Sequence, residues 1–272
     1  MAEKILDDIH IYLKQRKKLI DSVLHKYLSF DSRYVPASLF KAMNYSVFPG
    51  GKRFRPILTL LATELCGGNI KKVLPAACAV ELIHSYSLIQ DDLPSMDNDD
   101  YRRGKLSCHK KFGEATAILC SDALLSLAFE ILASNYDSYI IKEVAEYIGY
   151  KGLIRGQALD LQFGKASRNS YILEKIYLKK TASLIVAALR IGALISKASQ
   201  KQINALTRYG KKLGIAYQIV DDMKDSEGRL YNKKVALLRL KKIRKNIEKE
   251  SVVFPKDRGL LTGFFDYLIL SK

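Results

Sequence analysis

The stretch Glu81-Leu82-Ile83-His84-Ser85-Tyr86-Ser87-Leu88-Ile89-Gln90-Asp91-Asp92-Leu93-Pro94-Ser95-Met96-Asp97-Asn98-Asp99-Asp100-Tyr101-Arg102-Arg103-Gly104 decides how this chain is read. An apolar, helix-like run from Ala76 to Ile89 leads into five carboxylates within ten residues, and two adjacent arginines follow. Carboxylates at this density repel one another unless a cation sits among them. Hard divalent cations such as Mg²⁺ are held by one or two such groups together with substrate phosphates. The arginines suit the phosphates, because a guanidinium fork matches phosphate oxygens bidentately. Pro94 cannot continue a regular helix, so the helix ends or kinks around Asp92. That break lets Asp97, six residues beyond Asp91, swing back towards the same ion. Taken alone, the stretch also fits a solvated acidic loop.

A second stretch, Gln218-Ile219-Val220-Asp221-Asp222-Met223-Lys224-Asp225, again closes an apolar helical run with carboxylates. Asp221 and Asp225 share a helix face, and Asp222 neighbours Asp225 at three residues. Like charges at these spacings are mildly destabilising, and the C-terminal end of a helix dipole is unfavourable to anions. Two clusters of this kind read as two walls of one metal site, made by Asp91, Asp92, Asp97, Asp221, Asp222 and Asp225.

Outward from these clusters the chain reads as helix after helix. Apolar residues recur at helical spacing over 3–29, and similar patterns follow near 36–47, 54–66, 71–93, 114–134, 137–162, 169–197, 199–225, 232–249 and 257–270. No period-two alternation stands beside hairpin turns, so strands are not expected. The six prolines act as punctuation. With 272 residues and 48% hydrophobic composition, a single large helical bundle is expected. Cys66, Cys78, Cys108 and Cys120 show no zinc spacing and read as reduced thiols of a cytoplasmic protein. The N-terminus lacks a signal-peptide pattern, and the longest apolar run, Ala182 to Ile195, is too short to span a bilayer. Stable membrane insertion is therefore not expected.

The formal charge of +17 is mostly lysine spread along helical patterns, densest in 233–258, where ten basic residues meet three acidic ones. No helix-turn-helix, zinc-finger or aromatic-rich RNA-binding signature accompanies it, so no nucleic-acid partner is expected. An anionic substrate explains the sign as well. Phe48-Pro49-Gly50-Gly51-Lys52-Arg53-Phe54-Arg55-Pro56 sets a glycine turn and three cations at a helix start, where free backbone N–H groups suit a phosphate. His84 lies two helical turns before Asp91, on the same face.

In this order GGKRFRP, ELIHSYSLIQDDLPSMDNDDYRRGK, CSDALLSLAFEIL, GQALDL, KKTASL and YQIVDDMKD resemble the trans-isoprenyl diphosphate synthases, the farnesyl and geranylgeranyl diphosphate synthase family. The resemblance implies an all-α bundle around a deep central cavity, one polyprenyl synthetase domain over 1–272, and a homodimer. It implies that the enzyme condenses isopentenyl diphosphate with an allylic diphosphate, dimethylallyl or geranyl, with Mg²⁺ at the aspartates. Arg102, Lys180 and Lys234 would support the allylic diphosphate, with Thr181 and Gln218 assisting catalysis. Lys52, Arg55, His84 and Arg103 resemble the isopentenyl diphosphate pocket.

Helix geometry puts Tyr86 about 7 Å below Asp91, at ~1.5 Å per residue, so Tyr86 with Ser87 reads as the floor that sets product length. An aromatic there resembles farnesyl-forming bacterial enzymes. One departure stands out. Ser226 to Lys234 is shorter than the family's usual loop after the second aspartate cluster, with Lys234, Lys224 or Arg229 as stand-ins for its charges. Asn98, where many relatives carry Asp, matters less. Geranylgeranyl synthesis and a weakly active or non-catalytic prenyltransferase subunit remain the alternatives. A terpene cyclase is disfavoured by Lys52, Arg55 and His84.

Overall fold

The computed structural model describes residues 2–29, 33–48, 50–164, 170–224, 233–255 and 258–270. Within them helices follow in the order α1 (Ala2–Tyr27), α2 (Ala37–Val47), α3 (Phe54–Leu65), α4 (Ile70–Asp92), α5 (Cys108–Phe112), α6 (Glu114–Asn135) and α7 (Ser138–Ile148). Then come α8 (Leu153–Leu159), α9 (Ser170–Ile176), α10 (Ala182–Ile195), α11 (Gln200–Lys224), α12 (Lys233–Ser251) and α13 (Arg258–Leu270). The fold is the expected all-α bundle.

Its centre is α4, which packs against α3, α6 and α10, while α10 also packs on α11. Helix α10 is buried without a break from Ala182 to Leu189, and α4 is buried on most of its circumference. Helices apolar all round belong in a core. Asn69 starts α4 by accepting the Lys71 N–H through its side chain at 2.9 Å. Pro75, inside α4, has no N–H to give, and the ladder opens beside it. The Tyr136 hydroxyl fills the gap, accepting from the Ala76 N–H at 3.1 Å and donating to the Lys72 carbonyl at 2.7 Å.

Three expectations need correction. The helix expected over 137–162 is two, α7 and α8, parted at Gly149 and Gly152, whose low helix propensity marks the break. The one expected over 169–197 is interrupted by a π-helical turn at Tyr177–Thr181, and a second π turn, Asp160–Gly164, follows α8. Such turns are frequent at functional sites. Strands are not wholly absent: β1 (Tyr101–Arg102) pairs antiparallel with β2 (Lys105–Leu106), Arg102 opposite Lys105. Arg103 (φ 55°) and Gly104 (φ 75°) make the two-residue turn, both left-handed as a type I′ hairpin requires.

By length and composition α4 and α6 are each apolar enough to cross a membrane, unlike the shorter Ala182–Ile195 run. The apolar window of α4 is 67% buried inside the protein and that of α6 39%, so α4 is accounted for as a core helix.

Candidate active site

The C-terminal end of α4 places Asp91 and Asp92. The helix stops where Leu93 turns extended (φ −59°, ψ 151°) ahead of Pro94. The chain then folds back: the Asp97 N–H donates to the Asp91 carbonyl at 2.9 Å and the Asn98 N–H to the Leu93 carbonyl at 3.1 Å. Asp91 and Asp97 are thereby brought to one corner, as the spacing implied. Burial, reinforced by Asp97 and Asp92 and opposed by Lys180 and Arg102, pushes the Asp91 carboxyl up to about 6. Lys180 and Arg102 attract its charge, and burial outweighs them.

Asp92, the second carboxylate of the expected metal wall, is engaged by an arginine. It is buried, and both its oxygens accept from the Arg102 Nε, at 2.9 and 3.3 Å. A second Arg102 nitrogen also reaches Asp92, and Asp99 at 3.0 Å. Arg102 is thus clamped between two carboxylates, which fixes the hairpin against α4.

The opposite wall is the π turn after α9. Lys180 Nζ donates to Asp160 Oδ2 at 2.6 Å and lies 3.9 Å from Asp97 Oδ2. Burial works against its charge, but Asp91, Asp160 and Asp97 outweigh burial and raise its pKa. Lys180 comes this close because α8 packs its glycine on the turn: a Cβ on Gly156 would stand 2.0 Å from the Lys180 backbone nitrogen. The glycine and aspartate of GQALDL are therefore one device, Gly156 for approach and Asp160 to hold the lysine. Asp160 was not singled out from sequence, although the motif containing it was.

Helix α11 supplies the third side. Gln218 Oε1 accepts from the Thr181 hydroxyl at 2.8 Å, and Asp222 Oδ2 from the Tyr177 hydroxyl at 2.6 Å. Asp221 lies near enough to Arg55 for its charge to act there. Asp225 and residues 226–232 of the shortened segment lie outside the described residues. Lys234 stands exposed in the first turn of α12.

Two turns before Asp91 along α4, His84 joins Lys52, Arg55, Glu81, Arg103 and Tyr217 among the residues that line a cavity of about 380 Å³. Arg103 donates to the Gly50 carbonyl at 2.6 Å, and Arg55 Nη1 meets His84 Nε2 at 3.2 Å. Burial, then the charges of Arg55, Arg103, Arg53 and Arg102, drives the His84 pKa well below its ordinary value. The imidazole is neutral and can accept from Arg55. Burial likewise lowers Arg55 and Arg103, and the Arg55 Nε has no partner among the described residues. Lys52, exposed, carries its ammonium 5.8 Å over the Tyr267 ring. A cavity with this excess of cations suits a multiply charged anion. Arg53, the third cation of the sequence cluster, is spent inward: it donates to Asp21 at 2.7 Å, Glu81 at 2.6 Å and the Val47 carbonyl at 2.7 Å.

Tyr86 is partly buried between α4 and α6, its pKa raised by burial, then by Asp122 and Asp91. Ser87 is buried and donates to the His84 carbonyl at 3.0 Å, so its hydroxyl is taken up by its own helix.

The donor set fits a hard divalent cation. Among the described residues no group of three or more His, Cys, Asp or Glu converges to hold an ion unaided. Asp91 and Asp97 offer carboxylate oxygens of the hard kind that such a cation takes together with phosphate oxygens.

An all-α bundle with aspartates at the ends of α4 and α11 and a cavity rich in cations is the architecture of a diphosphate-handling prenyltransferase. Residues 36–236 match the family described as Polyprenyl synthetase, and the chain belongs to that family. Its members are trans-prenyltransferases that join isopentenyl and allylic diphosphates with a divalent metal. The chain is 48% identical to Geranylgeranyl pyrophosphate synthase 4 of Arabidopsis thaliana over 198 residues, 70% of this chain and 53% of that protein. It is 45% identical to a farnesyl diphosphate synthase of Micrococcus luteus over 217 residues, 78% of this chain and 73% of the relative. The structure of an FPP/GFPP synthase from Zymomonas mobilis superposes with a TM-score of 0.88 at 30% identity, covering 99% of this chain and 100% of the other.

Proposed function

We propose that this chain condenses isopentenyl diphosphate with geranyl diphosphate, or twice in succession starting from dimethylallyl diphosphate, to give farnesyl diphosphate, with Mg²⁺ as its metal. One observation carries the reading: the buried Asp91, with Asp97 folded back beside it, lies two turns along α4 from neutral His84 of the cavity lined by Lys52, Arg55 and Arg103. Two diphosphates have two complementary places to bind.

Asp91, Asp97, Asp221 and, outside the described residues, Asp225 would hold the metal. When bound, it neutralises charge on the leaving diphosphate. Lys180 adds a fixed positive charge on the same side, held in place by Asp160. Arg102 acts mainly through Asp92, by fixing the corner. The allylic C–O bond breaks with its electron pair leaving on diphosphate. The isopentenyl alkene then forms the new C–C bond to the allylic carbon, and a proton leaves to the released diphosphate. Gln218 and Thr181 present fixed dipoles next to that carbon, and the apolar core keeps water away. Lys52, Arg55 and Arg103 orient the alkene through its diphosphate, with His84 steering Arg55.

Tyr86, one and a half turns before Asp91, favours a farnesyl product by blocking longer chains. Likeness to a geranylgeranyl pyrophosphate synthase supports the longer product as the second reading. Intact aspartates and the Lys180–Asp160 pair speak against a non-catalytic subunit. The exposed Ile118 (44%) and Leu119 (60%) on α6 support pairing with a second copy.

The test is a product assay with purified protein, Mg²⁺, labelled isopentenyl diphosphate and either allylic primer. Farnesol after dephosphorylation, abolished by chelator and by Asp91→Ala, is expected. Geranylgeraniol would replace the product assignment, and no product with any primer would overturn the activity.

A further inference from the structure

The largest feature that prenyl transfer leaves unused is the outward face of α12. The helix carries eight basic residues against two acidic ones, over a third of the net charge of the chain. Its inner side is core: Ala236, Leu240, Ile243 and Ile247 are buried. Two arginines are spent on the fold, Arg239 donating to Glu174 at 2.6 Å and Arg244 to Asp266 at 2.7 Å. The lysines are not. Lys234, Leu238, Lys241, Lys245 and Lys249 recur at three- and four-residue steps, which places them on one stripe, and all are exposed. Lys241, Lys242, Lys245 and Lys249 form no ion pair among the described residues. Glu248, on the same helix, is held by Arg244.

A lysine stripe by itself is compatible with solvent. The leucines are what make this one unusual. Leu237 and Leu238 are 43% and 59% exposed, set among the cations in the first half of the helix. Leu238 also lines a shallow groove of about 510 Å³ against α9 and α11, floored by Ile215 and Ile243 and rimmed by Lys212 and Lys242. Exposed apolar area in water is unfavourable. At a bilayer interface the same pattern is favourable, because leucines enter the acyl boundary while lysines meet anionic headgroups. Nucleic acid is a poorer fit: α12 has no aromatic side chain on which a base could stack.

We infer that the outer face of α12 docks the folded enzyme on an anionic lipid surface, through Lys241, Lys242, Lys245 and Lys249 with Leu237 and Leu238 dipping into the interface. No helix inserts, since the opposite side of α12 is core. None of these six residues is among those assigned to the diphosphates, and the inference does not depend on which product is made.

The experiment is flotation of the full chain with phosphatidylcholine vesicles, with and without phosphatidylserine. Binding is expected only to the phosphatidylserine vesicles, and raised salt should release it. Each lysine near such a surface is worth about fivefold in partitioning, so Lys241→Gln/Lys245→Gln/Lys249→Gln should bind about 100-fold more weakly. Its thermal midpoint and its turnover in free solution should match the parent. The corresponding triple Lys→Arg variant should bind as the parent does, which separates lost charge from lost fold. Leu237→Ser/Leu238→Ser should weaken binding further at raised salt, where charge is screened. Equal binding to both vesicle types, or undiminished binding of the Gln variant, would overturn the inference. So would tight binding to single-stranded RNA with none to vesicles.

Discussion

Glu81→Ala is expected to cost the fold about 3–5 kcal/mol, the range for breaking a buried ion pair from one side. The magnitude follows from the enclosure of the pair. The side chains of Arg53 and Glu81 are 1% and 2% exposed and meet at 2.6 Å. Removing the carboxylate leaves the guanidinium with the Val47 carbonyl and with Asp21, which is 25% exposed and already shared with Lys17. Helices α1, α2 and α4 are tied together by this one arginine, so the loss falls on the wall of the cationic cavity. The same physics makes a second prediction about the pair. Arg53→Met with Glu81→Leu removes both charges and fills their space with apolar atoms, so the double variant should recover most of the loss. Asp21 keeps Lys17 and water in that background. Urea unfolding at neutral pH, followed by far-ultraviolet circular dichroism, gives the two free energies. A single variant within about 1 kcal/mol of the parent would show that the pair is hydrated and the reasoning wrong. A double variant no better than the single would mean the arginine acts through its three hydrogen bonds rather than its charge.

His84 gives a pH dependence. Its pKa is depressed by burial and by the surrounding arginines, so below pH 6.5 the unfolded chain takes up a proton that the folded chain refuses. Stability from this group is present above the unfolded pKa and lost as pH falls, by about 1.4 kcal/mol between pH 7.5 and 5.5. Urea midpoints across that range should fall less steeply in His84→Gln; an unchanged slope would refute a neutral His84. Tyr86→Ala should lengthen the product beyond farnesyl, read by chromatography of the dephosphorylated alcohols, and unchanged farnesol would remove Tyr86 as the floor.

Much of this was legible in the sequence for identifiable reasons. Helical periodicity is local, so the all-α class followed from it, and Pro94 forced the break that folds Asp97 back onto Asp91. The boundaries that failed are those where local pattern and backbone geometry part company. The π turn at Tyr177–Thr181 keeps helical periodicity in the sequence and changes only the hydrogen-bond ladder. The hairpin at 101–106 is too short to show alternation. The Arg102–Asp92 pair was not legible, because adjacency to Asp91 says nothing about which carboxylate a guanidinium ten residues on will claim.

The sequence by itself determined the helical class, the two aspartate clusters and the family, since each is written in residues close together along the chain. Only the tertiary structure decided how charge is apportioned among them. Arg53 turned inward while Arg55 and Arg103 stayed with the cavity, Arg102 went to Asp92, and Lys180 reached the first cluster across Asp160. Those assignments depend on burial and on ångström-scale approach between helices far apart in the chain. A charge in a desolvated corner is governed by whichever partner packing brings near, and spacing along the sequence does not encode that.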